Sequence, residues 1–147
     1  MGTRSLTIFQ DSAEICVMYR QFDGYPEGHG RELATFLSGI TITNGRVDGH
    51  TANGLQCLSA QIVAHFKTEP GEFYLMPAGT RDAGEEYRYT VYGVAPMEPH
   101  VRAEAVVSWG TVLRGETVDL LFDGPASELL AWINENWPES ADAEPAE

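Results

Sequence analysis

Residues 14–22, EICVMYRQF, written with a period of two, are largely apolar on both faces. Ile15, Val17, Tyr19 and Gln21 share one side, and Cys16, Met18, Arg20 and Phe22 share the other. A strand apolar on both sides belongs inside a sheet, with packing layers above and below it. The rest of the chain must supply those layers. Residues 5–9 alternate as a partner strand with Leu6 and Ile8 on one face, and Asp11-Ser12-Ala13 makes the turn between the two.

Helical periodicity follows. Leu33, Phe36 and Leu37 form an i, i+3, i+4 stripe over 30–37, which Ser38-Gly39 ends with a left-handed cap. Leu55, Leu58, Ile62 and Phe66 form a longer stripe over 55–67, beside a second stripe of Cys57, Gln61 and His65. Between them, Asn44-Gly45, Asp48-Gly49 and Asn53-Gly54 predict a minor hairpin or an irregular loop. Period-two patterns return at 73–76, 87–94, 102–109 and 117–122. Asp123-Gly124-Pro125 then opens a last helix, with Pro just inside it. That helix buries Leu129, Leu130, Ile133 and Trp137 and stops at Pro138. The expected fold is α+β: an N-terminal β-hairpin, two helices, an antiparallel four-strand meander and a C-terminal helix, the helices mainly on one face of the sheet. Residues 1–138 read as one globular domain, and 139–147 as an acidic, disordered tail.

The chain has 147 residues, 43% of them hydrophobic, enough for a core that needs neither disulfide nor metal. No apolar run is long enough to span a membrane, and the first residues do not read as a signal peptide, so a cytoplasmic protein is expected. Cys16 and Cys57 fit buried thiols in a reducing compartment. The formal net charge is −13, and it stays strongly negative without the tail acids, which argues against general nucleic-acid binding. Every basic residue except Lys67 is an arginine, so a local arginine pocket for an anion stays open.

The densest chemistry lies in the loop DGYPEGHG, residues 23–30, between the apolar strand and the first helix. Asp23, Gly24, Tyr25, Gly28 and His29 stand there where backbone N–H groups and a helix N-terminus favour an anion. The competing reading is a rigid turn with Tyr25 packed over the core. The loop has neither Walker nor dinucleotide-fingerprint spacing. Arg4, Arg20 and Arg81 are candidates to neutralise an anion, Glu86 is a further polar candidate, and Tyr25 or Tyr89 could stack on a ring. Tyr87, Tyr89, Tyr92 and Trp109 form an aromatic set that reads as core or as a stacking surface. Cys57, in the first turn of its helix, is the alternative catalytic nucleophile, with His100 as the histidine in suitable chain order. The histidines are scattered, so neither a metal nor a cofactor is expected.

The blocks MGTR, YRQFDGYPEGHG, NGLQCLSAQIVAHFK and GEEYRYTVY together resemble a widespread family of small proteins of unknown function from phages and bacteria. The likeness covers most of the chain before the last helix and includes Arg4, Asp23, Tyr25, Cys57 and Glu86. It implies a stand-alone domain, in the host cytoplasm if phage-borne. The leading expectation is a binding protein for a small anionic ligand, concretely a sponge for a nucleotide-derived immune signal. A cysteine hydrolase or transferase, and an acidic module that sequesters a host factor, are the alternatives. Homo-oligomerisation is left open.

Overall fold

The computed structural model describes residues 2–45, 47–94, 98–108 and 116–138, and of residues 108 and 116 the backbone only. The expectations for Trp109 and for the 139–147 tail fall outside the described residues. The described residues form an α+β fold, with three α-helices and a mixed six-stranded sheet. In order it forms β1 (Ser5–Gln10), β2 (Glu14–Arg20), a π-helical turn (Pro26–Gly30) and α1 (Arg31–Leu37). Then come β3 (Thr41–Thr43), β4 (Thr51–Asn53), α2 (Gly54–Phe66), β5 (Phe73–Met76) and β6 (Tyr87–Val94). β7 (Glu98–Ser108), β8 (Glu116–Pro125) and α3 (Ala126–Asn136) complete it.

The sheet order is β5-β2-β1-β6-β7-β8. β1 and β2 form the expected antiparallel hairpin, with Leu6 opposite Tyr19 and Ile8 opposite Val17. The four-strand meander is corrected in two respects. β5 leaves it and pairs with the outer edge of β2, and β6 runs parallel to β1 in the middle of the sheet. Burial explains both placements. Arg88, Tyr89, Thr90 and Val91 of β6 are all buried, so that strand needs neighbours at both edges and layers on both faces. β5 is four residues long with Tyr74 and Leu75 exposed, which suits an edge. The segment expected as a hairpin or loop holds β3 and β4, which pair in parallel as a separate two-stranded sheet. Strand structure also reaches Pro125, so the proline expected inside α3 is its N-cap.

Buried residues of all three helices join Phe9, Met18, Tyr89, Val91, Val101 and Ala103 in the main core. Leu6, Ile8, Val17 and Tyr19 form a second, smaller core on the opposite face, against Met76 and Ala83. The connection from β5 to β6 therefore closes the face the helices leave open. Leu55, Leu58, Ile62 and Phe66 of α2 are all buried as the period required. Gly39, at φ +90°, supplies the left-handed residue after α1.

Candidate functional site

The 23–30 loop leaves β2 through Asp23, whose φ of 63° turns the chain back toward the sheet. Its glycines are there for close approach rather than for left-handed angles. A Cβ on Gly24 would lie 2.7 Å from Ser5 Cβ and 2.9 Å from the backbone of Arg4 and Ser5. A Cβ on Gly28 would lie 2.6 Å from the Asp23 carbonyl oxygen. The loop amides are largely spent within the chain. Gly24 N donates to Thr3 O at 2.8 Å, His29 N to Asp23 O at 2.8 Å, and Gly28 N to Tyr25 O at 2.9 Å. Gly30 N reaches Tyr25 O at 3.4 Å. Tyr25 donates its hydroxyl to the Asp23 carboxylate at 3.1 Å, which raises the phenol's pKa. As a unit the loop is a fitted cap over the end of the sheet.

Behind the cap lies a buried polar web. His29 is fully buried, its ring 5.0 Å from that of Phe66 and 5.3 Å from that of Tyr89. Arg20 Nη1 sits 3.1 Å from His29 Nδ1, and His29 Nε2 sits 2.7 Å from Thr7 Oγ1. A guanidinium only donates, so Nδ1 accepts and Nε2 carries the proton given to Thr7. Burial first, and the Arg20 charge second, push the histidine's pKa from 6.5 down to about 3. Arg20 also pairs with Glu32 at 2.8 Å and Glu72 at 3.0 Å, and it lies over the Phe73 ring. Tyr89 is buried, its hydroxyl donating to the Gly24 carbonyl at 2.7 Å. Arg20, His29 and Tyr89, read from sequence as ligand contacts, are thus the supports that hold the cap.

Other sequence candidates meet at the same end of the sheet. Glu86 N donates to Arg4 O at 2.9 Å, while Gly24 packs on the other side of Arg4. Asp23 and Glu86 are exposed, and Tyr25 is half-buried. Arg4 Nε and Ser5 Oγ are buried there without a hydrogen-bond partner. Arg81 is elsewhere, holding Glu14 at the far end of β2 through contacts of 2.9 and 3.2 Å. That contact, ahead of the burial that opposes it, lowers the Glu14 pKa. The structure does not bring Cys57 to His100. Cys57 Sγ donates to Gln61 Oε1 at 3.2 Å, and the His100 ring lies tilted against that of Tyr92. The aromatic set divides as well: Tyr87 and Tyr89 stack on one face of β6, while Tyr92 bonds Asp123 on the other. Burial and that carboxylate push Tyr92 up to about 12. Among the described residues no group of three His, Cys, Asp or Glu could hold a metal, and no helix is long and apolar enough to cross a membrane.

A concavity the sequence did not announce lies along α2. An open groove of about 510 Å³ runs between that helix and the β2–β5 edge, walled by Ile15, Cys16, Ala60, Val63, Ala64 and Leu75. A smaller hollow of about 100 Å³ continues it past Val63, Leu75 and Lys67 onto Met18 and Phe73. Leu75 is 65% exposed, so the groove wall presents apolar surface to water. Two further residues were missed for a plainer reason. Glu85, beside the nominated Glu86, is buried and accepts from Arg88 at 2.8 Å and from the Ala83 amide at 2.7 Å. Glu72, at φ 65°, comes from a turn that carried no motif. Its partner, Arg20, lies 52 residues away.

No family model, no curated protein and no solved structure matches this chain.

Proposed function

We propose that this protein binds a small molecule in the groove beside α2 and does no chemistry on it. The observation that supports this best is the groove itself. Its volume of about 510 Å³ falls in the usual range for small-molecule sites, and its walls are apolar side chains held by regular elements. The thiol in its wall fits the non-catalytic reading. Burial, reinforced by Glu14, raises the pKa of Cys16, so it stays a protonated and poorly nucleophilic thiol. With the phage and bacterial likeness, a sponge that withdraws a host signal is the concrete form of this function.

The test is titration with N-phenyl-1-naphthylamine, a neutral fluorophore that brightens in apolar sites. Ala60 and Ala64 are exposed on α2, so Ala60→Trp fills the groove without touching the core. Binding to the unaltered protein and at least tenfold weaker binding to Ala60→Trp, at equal thermal stability, is the expected result. Equal binding to both would refute the assignment.

One observation favours a second reading, the capture of a nucleotide phosphate at the loop end. The buried, unpartnered Nε of Arg4 lies between the 23–25 and 84–86 segments and offers a donor to an anion. Titration with cyclic and ADP-ribose-type nucleotides tests it. Heat of binding that Arg4→Ala abolishes supports this reading, and the absence of heat across the panel removes it.

A further inference from the structure

Lys67 is the chain's only lysine, and it stands at the rim of the α2 groove. Its Nζ donates to the carbonyls of Gly71 at 2.9 Å and Phe73 at 2.8 Å, and it lies 5.5 Å from the centre of the Tyr74 ring. These contacts fix the ammonium in place, but all of them are neutral. Two of its three N–H donors are used, and among the described residues no carboxylate pairs with it. The same Lys67 borders both the main groove and its narrower continuation. A fixed ammonium thus sits at the edge of β5, beside an apolar trough, in a protein whose net charge is −13.

Resting on the small-molecule reading above, we propose that the groove selects a monocarboxylate amphiphile. Its apolar body lies along Ala60, Val63, Ala64 and Leu75, and its carboxylate takes the third N–H of Lys67. One point charge suits one carboxylate. A polyphosphate head would bring several charges against a single ammonium and an acidic surface, and the planar fork of arginine would match it better. The apolar wall supplies affinity, and Lys67 supplies the preference for an anionic end.

The experiment displaces N-phenyl-1-naphthylamine with decanoate or with 1-decanol, at low salt and neutral pH. The proteins are the unaltered chain, Lys67→Met and Lys67→Arg. Decanoate is expected to compete about fivefold better than decanol in the unaltered chain, the size of a good rim ion pair. Lys67→Arg keeps that preference and Lys67→Met loses it, the preference being read in each protein as the ratio of its own decanoate and decanol competition. Raising the salt erodes the preference in the unaltered chain. Decanoate and decanol competing equally, or a preference that survives in Lys67→Met, overturns the charge selection and leaves the groove assignment standing. A fluorophore that does not bind, or that binds Ala60→Trp equally well, overturns both.

Discussion

Acid should weaken this fold between pH 6.5 and pH 5 through one buried side chain. His29 is neutral in the native state because its Nδ1 faces the guanidinium of Arg20 at 3.1 Å and water is excluded. Protonating Nδ1 would set a second N–H against that cation. The folded pKa is about 3, against 6.5 for the free group, so the unfolded chain binds one more proton throughout the interval between them. Stability rises with pH wherever the unfolded state holds the extra proton. It is therefore complete above about pH 7 and is lost as pH falls below 6.5, with a slope approaching about 1.4 kcal/mol per pH unit. By pH 5 the loss amounts to roughly 2 kcal/mol. Glu14 acts in a separate window. Its lowered pKa contributes stability that is present above 4.5 and lost as pH falls further.

The assay is urea unfolding at pH 7, 6 and 5 and constant ionic strength, on the unaltered chain and on His29→Gln. Glutamine leaves a neutral acceptor facing Arg20 and a donor for Thr7, but it does not titrate. The other three histidines are present in both proteins and cancel in the difference. His29→Gln is expected to be less stable at neutral pH and to lose at least about 1.5 kcal/mol less between pH 7 and pH 5. Parallel pH profiles for the two proteins would refute the neutral, Arg20-facing histidine and the hydrogen-bond directions assigned to it.

Three further outcomes follow from the same cap and its neighbours, each read as a change in urea midpoint at neutral pH. Gly24→Ala drives a methyl into the backbone of β1 and should cost about 1–3 kcal/mol while leaving fluorophore binding at the α2 groove unchanged. Tyr89→Phe strips the donor from the Gly24 carbonyl in a dry site and should cost roughly 1–3 kcal/mol. Glu85→Ala removes a buried carboxylate that accepts from Arg88 and from the Ala83 amide and should cost about 1–3 kcal/mol, whereas Glu86→Ala next to it stays within about 0.5 kcal/mol.

Local pattern carried the elements well and their partners poorly. The β1–β2 hairpin follows from two alternating runs and a tight turn, and α2 from four apolar residues at helical spacing, because each signal lies within one stretch of chain. Parallel pairing of β1 with β6 joins residues about eighty positions apart, and no period encodes a partner. The burial of β6 did contain a hint. Its alternate face, Arg88 and Thr90, looks solvent-facing by residue type yet is covered, because Glu85 pairs the arginine and the β5–β6 connection closes over it.

The candidate site was legible in the same uneven way, and the physical reason is that polarity alone does not say which way a side chain faces. DGYPEGHG stood out because glycine, proline and histidine together are unusual, and the structure gives them a reason that is steric: small residues against β1, and a histidine locked between Thr7 and Arg20. Lys67 stood out only as the basic residue that is not an arginine and was not a site candidate, since a lysine at a helix end is ordinary and favourable with the helix dipole. What sets it apart is visible only once β5 is placed on the edge of β2, because that pairing brings the Phe73 carbonyl to its ammonium and turns Leu75 toward the trough beneath α2. The strand exchange that defeated the expected meander is thus the event that builds the groove. A β5 kept in register with β6 would have left Ile15, Cys16 and Val63 without an opposing wall, and Lys67 with nothing to guard.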